Sequence, residues 1–267
     1  MLPAERHRAI VDLVNTRGSI RVKELSQLFD VTEETVRRDL DNLSNEGRIR
    51  RSHGGAVRVS WDTEEVPYRE RENVNVSEKQ AIARKAIQYI DAGDRIALDA
   101  STTAWHVAVQ LPDIPLTVLT NSLKVALELS DRPKIEVVST GGILRANSLS
   151  NVGPMAEEAL SRFYVNKAFL SCKCCHLDYG ISETDTLQAL VKQKMIEISD
   201  KVFLLADLSK LGVRDFAQVA TIKDLDVLIT NGPIPYDMMQ EFNRVGVEVV
   251  QALEGPLPTL SGPSIAR

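Results

Sequence analysis

Cysteine is scarce in these 267 residues: there are three, Cys172, Cys174 and Cys175, an odd number confined to one short stretch. That excludes a disulfide framework and agrees with a reducing compartment. Long apolar runs are missing too, none approaching the ~20 residues that a membrane-spanning helix needs, so no membrane partner is expected. The start, Met1-Leu2-Pro3-Ala4-Glu5-Arg6-His7-Arg8, lacks the apolar core of a signal peptide. A cytoplasmic location is therefore expected.

What is present is an ordinary globular composition, 43% hydrophobic and 26% charged, on a chain long enough for two domains. The net charge of -5 is unevenly spread. Residues 1–58 carry eleven basic and nine acidic side chains, two more basic than acidic, which leaves seven net negative charges on the remainder. A basic head on an acidic body suits a protein whose head alone meets a polyanion.

In the head, the pattern predicts helices over 3–16 and 22–29, an extended piece at 19–21, and a third helix entered through Asp30-Val31. Thr32 is a good N-cap, Glu33 and Glu34 suit the positive end of the helix dipole, and Val36, Leu40 and Leu43 make a buried stripe. Steps of 100° put Glu34, Arg38 and Asp41 opposite that stripe, with Thr35 and Arg37 on its flanks. Gly47 stops the helix. Arg48-Ile49-Arg50-Arg51 then alternates, and His53-Gly54-Gly55-Ala56-Val57 supplies a tight turn and a return strand. Helix, helix, turn, helix, hairpin is the winged helix-turn-helix order. A three-helix protein-interaction domain is the alternative, but the outward arginines cluster where groove and phosphate contacts fall. The candidate DNA-binding residues are Thr32, Glu34, Thr35, Arg37 and Arg38 of the helix, and Arg50, Arg51 and His53 of the wing.

Residues 59–76 are charged, interrupted by Pro67 and aperiodic. They read as a linker, which Trp61 and Tyr68 could anchor to one domain. From Ser77 the chain turns amphipathic until Asp91-Ala92-Gly93, and short apolar runs then alternate with helical stretches. The runs are 95–98, 116–119, 135–138, 167–170, 202–206, 227–229 and 247–250. The helices between them are 103–110, 122–130, 154–162, 185–199 and 235–244. Such alternation predicts an α/β domain over 77–252 with a mostly parallel sheet, covered on both faces. Residues 253–267, rich in Pro, Gly and Ser, read as a disordered tail.

Ligands of such sheets bind at the carboxyl ends of the strands. Five loops there carry chemistry. Asp99-Ala100-Ser101-Thr102-Thr103 puts hydroxyls and backbone N–H groups at a helix start, an anion cradle suited to a phosphate, although hydroxyl residues also cap ligand-free helices. Thr120-Asn121-Ser122 repeats that chemistry. Thr140-Gly141-Gly142 allows close backbone approach, with Arg145 and Ser148 following. Ser171-Cys172-Lys173-Cys174-Cys175-His176 offers thiols, an amine and an imidazole, yet no second cysteine pair exists to complete a structural zinc site, so no metal is expected. Asp207-Leu208-Ser209-Lys210 supplies a carboxylate, a hydroxyl and an ammonium. Lys192 is expected on a solvated helix face.

These residues resemble the DeoR family of bacterial transcription regulators. The head carries the pattern in Glu33-Glu34-Thr35-Val36-Arg37-Arg38-Asp39-Leu40, Gly47 and His53-Gly54-Gly55-Ala56. The body carries it in Leu98 to Thr103, Thr120-Asn121-Ser122, Gly141-Gly142, Ser148, Val152-Gly153-Pro154, Lys167-Ala168-Phe169 and Ala206 to Lys210. The likeness covers about residues 3 to 252. It implies a sensor domain related to sugar-phosphate isomerases that binds a phosphorylated sugar and thereby changes operator binding; no cofactor is expected. It also implies a homo-oligomer, dimer or tetramer, repressing a catabolic operon. The candidate effector residues are then Asp99, Ser101, Thr102, Thr103, Asn121, Ser122, Gly141, Gly142, Arg145, Ser148, Cys172, Lys173, Asp207 and Lys210. The family usually has a glycine-rich segment where this chain has Ser171 to His176, so the sugar's identity does not carry over.

Two other readings compete. A sugar-phosphate isomerase or deaminase fused to a DNA-binding head would need a carboxylate base, for which Asp99, Asp178, Glu183 and Asp207 are candidates. A thiol or metal sensor would use Cys172, Cys174, Cys175 and His176.

Overall fold

The structure is a computed structural model and describes residues 3–17, 19–45, 48–52, 54–57 and 65–252. The head comprises α1 (Pro3–Arg17), β1 (Ser19–Arg21), α2 (Val22–Phe29), α3 (Glu33–Asn45), β2 (Arg50–Ser52) and β3 (Gly55–Val57). Its strands form an antiparallel sheet in the order β1-β3-β2. Asp30, at φ 51°, ends α2 in the left-handed conformation, and the Thr32 hydroxyl accepts the Thr35 N–H at 3.2 Å to start α3. Ile10, Val14, Leu25, Val36, Leu40, Leu43 and Ile49 close into one core. The winged helix-turn-helix order read from the sequence is thus the order of the fold. Gly47, His53, Trp61 and the tail at 253–267 lie outside the described residues.

The body begins with a short helix in the stretch read as a linker, α4 (Tyr68–Arg71), and continues with α5 (Val76–Ala86), β4 (Arg95–Leu98), α6 (Thr102–Gln110), β5 (Leu116–Thr120), α7 (Leu123–Leu129) and β6 (Ile135–Ser139). Next come β7 (Ile143–Arg145), β8 (Ser150–Val152), α8 (Pro154–Ser161), β9 (Val165–Leu170), β10 (Cys174–His176), β11 (Gly180–Glu183) and α9 (Thr186–Glu197). The last elements are β12 (Ser199–Leu205), β13 (Ala217–Ala220), β14 (Val227–Thr230), α10 (Tyr236–Arg244) and β15 (Glu248–Gln251).

Seven strands form one parallel sheet in the order β15-β14-β12-β9-β4-β5-β6. They are the seven apolar runs. One hydrophobic core gathers Ile82, Ala86, Val107, Val125 and Leu129 with Leu98 and Phe169 of the strands. A second gathers Leu160, Val191, Met195 and Phe242 with Ala168 and Leu204. Alternate strand residues therefore feed opposite cores.

Two small antiparallel pieces depart from the sequence expectation. β7 pairs with β8, and β10-β11-β13 form a second sheet. The stretch 171–176 is therefore only half a loop, because Cys174, Cys175 and His176 pair with Ser182, Ile181 and Gly180. A side chain at Gly180 would place its Cβ 1.9 Å from the Ala220 carbonyl oxygen, so only glycine lets these strands meet.

Candidate functional site

On α3 the arginines face outward. Arg37 is paired with Glu33 at 3.2 Å and Arg38 with Glu34 at 3.5 Å, their side chains 53% and 78% exposed. Exposed i,i+4 pairs contribute only ~0–1 kcal/mol, so both guanidinium groups are readily given up to a phosphate or a guanine. Glu34 is exposed and Thr32 shares a 2.9 Å hydrogen bond with Thr35. Arg51 of the wing pairs with Asp41 at 2.9 Å. His53 and the side chain of Arg50 lie outside the described residues.

Beneath this face lies a contact that sequence reasoning missed. Arg6 of α1 donates two hydrogen bonds to Asp39 of α3, at 2.6 and 3.1 Å, and the His7 ring meets the same carboxylate at 2.9 Å. Burial alone would raise the Asp39 carboxyl, but the Arg6 and His7 hydrogen bonds overturn it and hold it below the usual range. The buried pair fixes α3 against α1. Its one sequence signal is a charged residue on the buried stripe, between Val36 and Leu40.

In the body, the chain runs outward from β4 to β5 and β6, then returns to β9 on the other side of β4. The carboxyl ends of β4 and β9 are the point where strand order reverses, the natural ligand crevice of such sheets. Asp99 follows β4 and Ser171 follows β9. Asp99 Oδ1 accepts the Ser101 N–H at 3.1 Å and hydroxyl at 2.5 Å, and Oδ2 accepts the Ser171 N–H at 3.0 Å. Oδ2 also meets Lys192 Nζ at 2.7 Å.

Lys192 corrects an expectation, since it is 6% exposed rather than solvated. Gln188, Val191, Lys192 and Met195 share the inward stripe of α9. Its ammonium bridges Asp99 and Glu183, 2.7 Å from each, and donates to the Ser171 carbonyl at 2.6 Å. Burial would lower its pKa, but the two carboxylates reverse this and keep it charged.

Two further lysines adjoin. Lys210 donates to the Ser171 hydroxyl at 2.7 Å. Lys79 of α5, which the sequence did not single out, is buried and donates to the carbonyls of Arg71 and Val74. Burial, with Lys210 adding repulsion, pushes its ammonium down to about 8 against the pull of Asp207. Asp207 accepts the N–H and hydroxyl of Ser209 and the Asn75 amide. The first turn of α6 carries Thr102 and Thr103, both buried at the positive end of the helix dipole. Ser101 is its cap, and the Thr103 hydroxyl has no hydrogen-bond partner among the described residues.

Of the candidate effector residues, Asp99, Ser101, Cys172, Asp207 and Lys210 therefore share one charged neighbourhood beside Thr102 and Thr103. Others are committed to holding loops. Ser122 caps α7, and the Asn121 amide donates to the Asn151 carbonyl at 3.0 Å. Ser148 joins Ser150 and Gln188 in a buried network. Arg145 pairs with Asp185 at 3.5 Å, and the Lys173 N–H donates to the Ser182 carbonyl. A Cβ at Gly142, whose φ is 135°, would lie 2.7 Å from the Val152 carbonyl oxygen, while Gly141 has open space around it. A cleft of about 400 Å³ is lined by Thr140, next to Gly141, but by none of the candidate effector residues or the lysines, and Leu119, Val138, Met155 and Phe163 give it apolar walls.

The cysteines are all buried and free. Burial pushes the Cys172 thiol up to about 12, despite Lys210, and raises Cys174 and Cys175 as well. Thiols held protonated in this way lack the thiolate that oxidant sensing requires.

Residues 6–61 match the model of the DeoR-like helix-turn-helix domain, and residues 74–232 match that of the DeoR C terminal sensor domain. The HTH-type transcriptional regulator YulB of Bacillus subtilis (strain 168) is 54% identical over 231 residues, covering 86% of this chain and 90% of YulB. The HTH-type transcriptional regulator GlpR of Haloferax volcanii is 39% identical over 254 residues, covering 95% and 99%. The HTH-type transcriptional repressor GlcR of Bacillus subtilis is 34% identical over 250 residues, covering 94% and 96%. No helix among the described residues is long and apolar enough to cross a membrane.

Proposed function

The chain belongs to the DeoR family of transcriptional regulators, and from that premise we propose that it represses a sugar-catabolism operon and is released from its operator by a phosphorylated sugar bound at the carboxyl ends of β4 and β9. The observation that carries this reading is the pair Lys192 and Lys210, both hydrogen-bonded to Ser171, with the buried Lys79 near enough to Lys210 to be repelled by it, beside the first turn of α6. Lys192 is already neutralised by two carboxylates, whereas Lys79 and Lys210 repel one another. A phosphate near Lys79, Lys210, Thr102 and Thr103 relieves that repulsion and meets helix-dipole charge of the opposite sign. α3 and the wing then read the operator through Arg37, Arg38 and Arg51, in a homo-oligomer whose several heads offset the acidity of the bodies.

Turnover is not part of this reading. Asp99 and Glu183 are both tied to Lys192, and Asp207 holds Ser209 and Asn75, so each would have to leave its partners to act as a base.

A thermal-shift series with phosphorylated sugars at pH 7 and pH 9.5 tests the proposal. A true effector at 100 times its Kd stabilises the folded chain by ~2.7 kcal/mol. Thr102→Val with Thr103→Val, which keeps the shape and removes two hydroxyls, is expected to abolish most of that gain. The groups facing Lys79 are Arg71, Glu78, Asp207, Lys210 and His106. Since its pKa is about 8 in the free protein and a bound anion favours the charged form, binding takes up a proton above that pH. Affinity should therefore fall from pH 7 to 9.5, a range in which the phosphate itself stays dianionic. Stabilisation that is equal at both pH values and equal in the variant would remove the lysines and threonines from the site.

A further inference from the structure

The stretch from Glu65 to Val74 lies mostly in the gap between the two family matches, which end at residue 61 and resume at 74. It is nevertheless built into the body. The Tyr68 N–H donates to the Asn147 carbonyl at 2.6 Å, and the Arg71 and Val74 carbonyls accept from Lys79. Glu65 pairs with Arg71 at 2.8 Å. Burial raises the Glu65 carboxyl, with Arg71 lowering it and Glu183 raising it further, so this end of the stretch is within reach of the Lys192 cluster.

Tyr68 is the centre of the stretch. It is 1% exposed, and its hydroxyl is buried without a hydrogen-bond partner among the described residues. The Lys124 ammonium lies 5.6 Å from its ring and 5.1 Å from that of Trp105, and the Arg71 guanidinium 5.8 Å from the Tyr68 ring. Asp99 and Glu72 are among the charges it senses, and Glu72 is also sensed by His106. Thr103 Oγ1 and His106 Nε2, three residues apart on α6, are likewise buried without partners. A buried polar atom left unpartnered is costly; two of these lie on one turn of α6, and the third belongs to Tyr68, whose ring shares the Lys124 ammonium with Trp105 of the same helix, so together they point to an oxygen-rich guest.

We propose that Tyr68 is an effector-binding residue, its hydroxyl donating a hydrogen bond to the phosphorylated sugar, so that occupancy is registered by the segment on which the DNA-binding head is hung. This rests on the effector site being at the β4 and β9 ends. The segment 65–74 then forms one wall of that site, and the ligand's contact with Tyr68 gives it a preference for one placement of the segment, as any linked switch requires.

The test compares wild type, Tyr68→Phe and the Thr102→Val/Thr103→Val pair by thermal shift. The probes are inorganic phosphate, glycerol 3-phosphate, glucose 6-phosphate, fructose 1-phosphate and fructose 6-phosphate. Tyr68→Phe removes an oxygen that has no partner, so its ligand-free melting midpoint should equal or exceed that of wild type, while its affinity for the stabilising probe falls roughly tenfold. Unchanged affinity in Tyr68→Phe, with stabilisation lost in the threonine pair, overturns the role of Tyr68 alone. A ligand-free midpoint that drops together with affinity marks the hydroxyl as structural and also overturns it. If no probe shifts wild type, the phosphate-effector reading fails and this inference fails with it.

Discussion

Lys192→Met should lower the stability of the folded chain by about 3–5 kcal/mol, the usual cost of stranding a buried charge by removing its partner. The ammonium is the common counter-ion of Asp99 and Glu183 and a donor to the Ser171 carbonyl. It therefore joins the loops after β4 and β9 to β11 of the small sheet. Methionine fills the volume but leaves two carboxylates facing each other in a dry site. Converting these as well, with Asp99→Asn and Glu183→Gln, should recover much of the loss, because no uncompensated charge remains. Urea unfolding of the single and triple variants measures both effects. A loss below about 1 kcal/mol in the single variant would mean that the cluster is solvated and Lys192 unimportant to it.

The second large effect concerns the head. Arg38→Ala should weaken operator binding about 5- to 150-fold, corresponding to the ~1–3 kcal/mol of a bidentate contact to guanine. The side chain is 78% exposed and, among the described residues, pairs with the exposed Glu34, so folding should be untouched and the melting of the body unchanged. The salt dependence separates two roles: a base contact relaxes sequence preference, whereas a phosphate contact lowers the salt slope by about one. Operator affinity equal to wild type at moderate salt would take Arg38 out of the interface. Asp39→Ala, by contrast, would also strand Arg6 and loosen α3, so it reports on folding rather than on readout.

Much of the architecture is legible in the sequence because parallel strands covered on both faces read as unbroken apolar runs, such as Val227-Leu228-Ile229. The head is legible for another reason: its three helices keep strict inward stripes and end at marked residues such as Asp30. The small sheet was not legible. Cys174–His176, Gly180–Glu183 and Ala217–Ala220 are three or four residues long and mix thiols, glycine and amides, with neither alternation nor an apolar run.

In the site, the loops that open helices announced themselves through their hydroxyls, and Asp99, Ser101, Thr102, Thr103 and Lys210 lie where loop position put them. The lysines on helices did not. Lys79 shares a buried stripe with Ile82, Ala83 and Ala86, and Lys192 shares one with Gln188, Val191 and Met195. A lysine on such a stripe ordinarily lets its stem lie on apolar surface and its head reach water. Here the charged neighbours come from distant parts of the chain, Asp99 for Lys192 and Asp207 and Lys210 for Lys79, and only the fold brings them together. Arg6 and Asp39, 33 residues apart, escape for the same reason. A charged residue on a largely apolar stripe is the transferable signal, and in this chain it marks Asp39, Lys79 and Lys192.

The most direct test of the central claim is the operator affinity of the intact protein with and without phosphorylated sugars, measured by fluorescence anisotropy on a duplex selected from random sequence. At least one phosphorylated sugar should weaken operator binding by tenfold or more in wild type and have little effect on the Thr102→Val/Thr103→Val protein, a coupling of about 1.4 kcal/mol or more. Operator affinity that no phosphorylated sugar alters, or that wild type and variant lose equally, would contradict control from the carboxyl ends of β4 and β9.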